Sequence, residues 1–433
     1  MKKAHNFILN CILFLVSFSV HCQSLPTLQD YSLGKFYKQY WYQLGEEHHN
    51  PKALRRMRIN APETGLGKFR DRIEAKENGL VIIPLEEDLV NLESAFLYAE
   101  VWGGHPGTLN KRFSLNARNI YELPNVGTEH ENCTYNYPLV PLKITDLING
   151  LNALQFTCDQ GNTFWGHFLV DNACLKVGLK KDHPDLVKMN LVDFNAEVMV
   201  IPLKGKNEEG FELFLESNFP KKIAKVDFLG FYKGYDENGN TEWKDWHGFT
   251  KAKAYEGHIG SITGAGKLKW STKMLIAQED VAVRAVVTFK GNSKLSFETK
   301  ATLIDIPMRK NEFVSVIKSE NVPAPFWSRA GNLKTCTLKL ETDPKNIQEA
   351  ELHVVIWDGG AGEVKEYFKL NNSFLPILDG KSSHDLFYRI LKIDPSQLKK
   401  GENKIELLSD THHHGIEIIL PGPALVIRCK RNN

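Results

Sequence analysis

The sequence predicts an all-β protein in which two homologous β-sandwich units flank a third sandwich. Three observations carry this. Ala95–Asn116 (AFLYAEVWGGHPGTLNKRFSLN) and Ala350–Asn371 (AELHVVIWDGGAGEVKEYFKLN) align without a gap, at an offset of 350 − 95 = 255 residues. Apolar residues alternate through short runs separated by turn residues, the period of half-buried strands. The segment between the copies, about residues 181–308, holds about seven more such runs and no helical period.

The chain has 433 residues, too long for one core, so several domains are expected. A net charge of +2 gives no broad electrostatic reason to expect nucleic acid or an acidic membrane surface. Residues 1–22 read as a signal peptide: Lys2 and Lys3 precede an apolar run from Phe7 to Val20, and cleavage after Cys22 fits. That run is short for a membrane span, and nothing else in the chain is apolar enough to be one. The expectation is an exported chain, periplasmic or secreted. Lipid anchoring at Cys22 is the lesser alternative, because His21 occupies a position where such signals carry a small residue.

Residues 23–77 form an aromatic-rich approach segment with Tyr31, Phe36, Tyr37, Tyr40, Trp41 and Tyr42. Its part from Gln23 to Gly45 is expected as a short helix laid on a later domain. Arg55 and Arg58 would give a helix from Pro51 to Arg58 a basic, solvated face.

The first repeat unit covers 78–180. Leu80–Glu86 pairs with Thr335–Glu341 at the offset of 255, and Leu147–Phe156 pairs with Leu398–Leu407 at 398 − 147 = 251. Both copies close on a strand, Ala173–Val177 and Ala424–Arg428, so the second unit covers 309–433. In the pattern L-x-x-G-x-N, Gly150 and Gly401 end a turn and the Asn bonds local backbone as a strand begins. This arrangement, following a hairpin that ends in Leu-Asn, resembles the galactose-binding-like jelly roll. The resemblance implies two jelly-roll β-sandwiches of a type common as accessory modules of secreted carbohydrate-active enzymes. The middle segment, 181–308, is expected as an immunoglobulin-like sandwich. It resembles modules of exported proteins in bacterial polysaccharide-utilisation systems.

Export makes disulfides expected among the five cysteines of the mature chain. Cys336 and Cys429 lie in the first and last strands of the second unit, and Cys133 with Cys158 would clip the long loop of the first. Cys174 would remain free, or would replace one of that pair.

Several side-chain groups are candidate sites. Asp236, Asn238, Asn240 and Asp245 alternate oxygen donors around Gly239, as a calcium loop does, and as an Asn-Gly hairpin turn does too. Trp243, Trp246 and His247 end the same loop and would make a saccharide platform if exposed, or packing if buried. His412 and His414 would share one side of an extended segment, suiting zinc, copper or a glycan. Their counterparts in the first unit are Gly161 and Thr163, so the fold does not require them. His105 lies in GGHPGT, where the second copy reads DGGAGE. Trp102 and Trp357 recur at matching positions and belong to the repeated fold. His48 and His49 are read as exposed.

The chain holds no G-x-S-x-G elbow, no H-E-x-x-H, no P-loop and no dinucleotide fingerprint. The leading expectation is an exported carbohydrate-binding or scaffold protein whose partner is a polysaccharide or glycan. The alternatives are a polysaccharide hydrolase, lyase or glycan-releasing amidase with a site assembled from distant strands, and a structural adhesin.

Overall fold

A computed structural model describes residues 34–42, 57–65, 70–71, 76, 78–123, 132–160, 166–204, 209–235, 258–378 and 386–431. Its strands in the first part of the chain are β1 (Lys35–Trp41), β2 (Met57–Asn60), β3 (Leu80–Leu85), β4 (Leu92–Trp102), β5 (Thr108–Leu115), β6 (Asn119–Glu122), β7 (Tyr135–Asn136), β8 (Leu139–Pro141), β9 (Gly150–Gln160) and β10 (His167–Leu179). A short helix α1 (Pro184–Lys188) leads into β11 (Ala196–Pro202), β12 (Gly210–Ser217), β13 (Ile223–Phe231), β14 (His258–Thr263), β15 (Lys267–Ser271), β16 (Gln278–Phe289), β17 (Asn292–Glu298) and β18 (Thr302–Ile306). The last part holds β19 (Glu312–Glu320), β20 (Phe326–Ser328), β21 (Lys334–Leu340), β22 (Ile347–Gly359), β23 (Phe368–Leu370), β24 (Ser373–Phe374), β25 (Leu386–Ile393), β26 (Gly401–Leu407), β27 (Gly415–Ile418) and β28 (Ala424–Lys430). The protein is all-β, as the alternation predicts. Helix α1 breaks the pattern locally, with Pro184 at its first position and the His183 side chain capping it.

The element order repeats. Adding 255 to β3 and β4 gives the cores of β21 and β22, and adding 251 to the start of β9 gives the start of β26. The Leu-Asn endings and the L-x-x-G-x-N motifs meet in both copies. Asn116 (φ 50°) donates to the Asn152 carboxamide oxygen at 2.9 Å and accepts from the Ala153 N–H at 2.8 Å. Asn371 (φ 55°) does the same with Asn403 at 3.1 Å and the Lys404 N–H at 3.1 Å. Asparagine tolerates this left-handed backbone, which is why each hairpin ends on it. Asn152 clamps both the N–H and C=O of Ile148, and Asn403 those of Lys399. Both inner asparagines are fully buried.

Within the approach segment, Lys35–Trp41 is not a helix. β1 is a strand that pairs with β10 on one side (Gln39↔Lys176) and with β17 on the other (Tyr37↔Ser296). It joins the first repeat unit to the middle segment in one 11-stranded sheet. The two are accordingly packed on one hydrophobic core, where Phe36 from β1 sits against Phe194, Phe289 and Phe297. Arg58 is likewise on a strand, β2, and bonds Asn60 at 3.2 Å. A buried polar knot fixes β1 from the same face. Lys38 reaches Glu87 and, at 2.6 Å, Asp185; Tyr40 also donates to Glu87, and His183 meets its other oxygen at 2.9 Å. Burial pushes the Glu87 carboxyl up, but the bonds from Lys38, Tyr40 and His183 outweigh it and hold the group below the usual carboxylate range.

The smaller sheets complete the layers. β3-β9-β5-β6 covers the first unit and β11-β12-β15 the middle segment. In β3 the alternation is clean, with Val81, Ile83 and Leu85 inward. The second unit has its own core, and β19 serves both of its faces by pairing with β28 and then with β21.

A third apolar cluster lies between the two repeat units, holding Tyr98, Trp102, Tyr135 and Tyr137 from the first and Val355, Leu386 and Ile419 from the second. This explains β4, which alternates at its start and is buried on both faces from Leu97 onward. Trp357 packs against the same cluster. The recurring tryptophans therefore belong to the outer sheet faces where the units meet.

All five described cysteines are free and buried, which corrects the two expected bridges. Cys133 packs in the second unit's core, whereas Cys158 lies in the first core with its thiol toward the Ile59 carbonyl at 3.9 Å. Cys429 pairs with Phe313 and Cys336 lies one residue before the partner of Glu320, so roughly eight strand residues, about 26 Å, separate their rows along β19. A disulfide needs Cα atoms within about 7 Å. Burial pushes the Cys158 and Cys336 thiols up to about 12 and the Cys429 thiol to about 11.

Three outcomes follow from this architecture. Asn403→Ala removes a buried side chain that closes the N–H and C=O of Lys399 and accepts from Asn371, and should lower stability by about 1–3 kcal/mol in urea unfolding, with Asn152→Ala costing a similar amount. Peptide mapping without reductant should find Cys133, Cys158, Cys174, Cys336 and Cys429 as thiols, inert to thiol reagents until the chain is unfolded. The lowered Glu87 group contributes stability that is present above the unfolded value, about 4.3, and is lost as pH falls through the folded value. Urea midpoints of Glu87→Gln should therefore fall less steeply below about pH 5 than those of the unmodified chain.

Candidate functional site

The divergent loops of the two copies meet at one end of the inter-unit seam. In the first unit, β4 ends on Trp102 and the chain turns through Gly103 and Gly104. Gly104 has φ +84°, and a Cβ there would lie 2.1 Å from the His167 carbonyl oxygen, so only glycine fits. The turn delivers His105 beside Trp102 and His167, with ring centroids 5.1 and 6.2 Å away. Thr108 then donates to the His167 carbonyl at 3.0 Å and fixes the start of β5 against β10. The His167 imidazole is buried, and desolvation together with the nearby Arg58 charge holds it well below the usual histidine range, so it is neutral at pH 7.

In the second unit, β27 runs between β20 and β22. Glu417 pairs with Trp327 on one side and with Trp357 on the other. Directly opposed residues share a sheet face. The result is a row, Trp327–Glu417–Trp357, in which a carboxylate lies between two indoles. His105 of the first unit closes on this row: its ring is 5.1 Å from that of Trp327 and its Nε2 is 3.7 Å from Glu417 Oε2. Glu417 is 4% exposed, and its Oε1 has no hydrogen-bond partner among the described residues. Both tryptophans are half-buried. The Arg329 guanidinium lies over the Trp327 ring at 4.3 Å and brings donors to the edge of the row.

The histidine loop borders the same place. His414 accepts the Trp327 indole N–H on its carbonyl at 2.6 Å, and its ring lies 6.0 Å from that of Trp357. Gly415 (φ +88°) permits the approach, since a Cβ there would lie 2.0 Å from the Ser328 carbonyl oxygen. Ser409 bonds Gly360 and Thr411 and anchors the loop from below. The chain bends at His412 and His413 rather than running extended, so the alternation that would align His412 with His414 does not apply. Both side chains are exposed. Among the described residues, no group of three or more His, Cys, Asp or Glu is placed to hold a metal ion.

The structure thus brings His105 and His414 together on Trp327. Asp236, Asn238, Asn240, Trp243, Asp245, Trp246 and His247 lie outside the described residues, as do residues 1–22 and His48 and His49. The sequence reading missed Trp327, Glu417 and Arg329. Glu417 had a signal, a lone charge in the apolar run Gly415-Ile-Glu-Ile-Ile419 that aligns with Gly166 in the first copy. Trp327 had none, because β20 is three residues long and too short to show a period.

The chemistry of the row is recognition by stacking and hydrogen bonding. Indoles present apolar faces, the carboxylate accepts, the guanidinium donates, and the imidazoles can do either. Among the described residues no helix is long and apolar enough to cross a membrane.

No protein-family model matches this chain, and no curated protein does. Part of this chain is weakly similar to several solved structures of glycoside hydrolases. A β-porphyranase of glycoside hydrolase family 86 from the human gut bacterium Bacteroides plebeius is 14% identical, over 55% of this chain and 37% of that one, with a TM-score of 0.23. The glycoside hydrolase domain of Endo-D from Streptococcus pneumoniae R6 is 11% identical, over 53% and 31%, with a TM-score of 0.24. A family 86 enzyme solved with neoagarooctaose is 12% identical, over 56% and 34%, with a TM-score of 0.25. The matched region spans about a third of the length of each of these chains.

Proposed function

We propose that this chain is an exported carbohydrate-binding or scaffold protein that recognises polysaccharide at the Trp327–Glu417–Trp357 row. The observation that carries the reading is the row itself: a buried carboxylate with an unpartnered oxygen, set between two half-buried indoles and faced by His105. Sugar rings offer apolar C–H faces to aromatic rings and hydroxyls to carboxylates, and this set supplies both. The export reading rests on Lys2, Lys3 and the apolar run Phe7–Val20. The repeated hairpins and asparagine motifs support assigning the flanking units to galactose-binding-like jelly rolls around an immunoglobulin-like segment.

Hydrolysis is the second reading. Glu417 beside a histidine is a competent proton donor or acceptor, and glycoside hydrolysis would pair it with a second carboxylate about 5–10 Å away. Affinity electrophoresis of the mature chain on a polysaccharide panel, run with assays for new reducing ends and unsaturated products, separates the two. A binder is retarded without releasing product. Trp327→Ala should weaken retardation by about 1–2 kcal/mol, on the order of tenfold. Glu417→Gln keeps the shape and loses the charged acceptor, costing on the order of 10- to 100-fold. Unchanged binding in both variants removes the row as the site, and product formation replaces binding by catalysis.

A further inference from the structure

The seam has a second feature away from the row. Because β1 joins the first unit to the middle segment, the outer face of that sheet is continuous across β13, β16, β17, β1, β10 and β4. The register places Gln39 beside Lys176, Trp41 beside Cys174 and then Tyr98, and Glu298 beside Val286 and then Asp227. A cleft of about 120 Å³ opens on this face. Its floor carries charges that are rarely so deep on a sheet surface. Glu298 is 4% exposed and Arg284 4%, joined at 2.8 Å, and Lys176 reaches the other Glu298 oxygen while lying 4.4 Å over the Tyr37 ring. Asp227, 3% exposed, is held by Lys225 at 2.8 Å and by Ser261. One wall is aromatic: Trp41 and Tyr98 stand edge to face, 5.7 Å apart.

We infer that this cleft is a binding site for a single uncharged sugar ring, separate from the Trp327 row. Size sets the first limit. An enclosed cavity of roughly 150 Å³ admits benzene, and a pyranose with its hydroxyls is larger, so this open cleft of about 120 Å³ seats one side of a single ring and not a chain of them. Charge sets the second. An anion would face Glu298 and Asp227, and a cation would face Lys176, Arg284 and, with its own partner Glu86, Lys294, so the mixed lining penalises either sign. A polyhydroxy ring both donates and accepts, which matches donors, acceptors and the Thr288 and Ser296 hydroxyls around it. The Trp41–Tyr98 wall takes its apolar face.

The test is titration calorimetry of the full mature chain with neutral methyl glycosides, with glucuronate and glucosamine as charged probes. At least one neutral glycoside should bind with one-site stoichiometry, and more tightly than either charged probe. Thr288→Trp, which sets a large side chain among the residues that line the cleft, should abolish this binding. Gln39→Ala should weaken it at least several-fold, while Trp327→Ala leaves it unchanged. The cleft is overturned if no neutral glycoside binds, if a charged probe binds better, or if binding survives Thr288→Trp. Loss of monosaccharide binding in Trp327→Ala with retention in Thr288→Trp assigns it to the row and also overturns the inference. Polysaccharide retardation that fails in Trp327→Ala while the cleft still takes its ring separates the two sites.

Discussion

The structure depends on a buried carboxylate. Glu87 accepts from Lys38 and Tyr40 and meets His183, and through them it holds β1 in the sheet. An uncompensated charge at this depth would cost several kcal/mol, so the partners are obligatory rather than decorative. With β1 in place, the first unit and the middle segment share one sheet and one core. Without it, β10 and β17 would each present an open edge, and the outer face would be two separate surfaces. The cleft floor exists because the two ladders on β1 bring Lys176 and Glu298 onto one face.

The two repeat units show what a duplicated fold holds constant and what it releases. The Asn116–Asn152 and Asn371–Asn403 pairs close the same hydrogen bonds in both copies, because the left-handed hairpin end and the strand entry leave the same backbone groups to satisfy. The turns after Trp102 and Trp357 face no such demand. One became a histidine-bearing turn and the other a glycine-rich one, and the loops around residues 161 and 412 diverged with them. Of these, the turn that carries His105 and the loop at 412–414 lie beside the seam, where the other unit is present to receive them.

Much of the fold was legible in the sequence because strand periodicity and the offset of 255 are local signals. Val81, Ile83 and Leu85 announce β3, and the element order of the second unit follows from the first. β1 was misread because its alternation is masked: Lys38 sits among the core-facing residues as part of the Glu87 knot, and both faces of the strand are covered. The disulfide expectation failed because strand order does not fix position along a strand: Cys336 on β21 and Cys429 on β28 sit level with opposite ends of β19. At the site, His105 and the His412–His414 loop were legible as departures from the repeat. The row was not, since the adjacency of Trp327, Glu417 and Trp357 arises from pairing among β20, β27 and β22, which are distant in sequence.

The packing of the copies through equivalent strands has one more consequence. Two identical chains meeting through the same strands would form an isologous interface, in which every contact appears twice and any site is duplicated. Fusion into a single chain removes that obligation. The first copy can supply an imidazole and the second a carboxylate, without either having to carry both. The seam between Trp102 and Trp357 is in this sense a dimer interface freed from its symmetry, with room to evolve one asymmetric site where a homodimer would be bound to keep a matched pair.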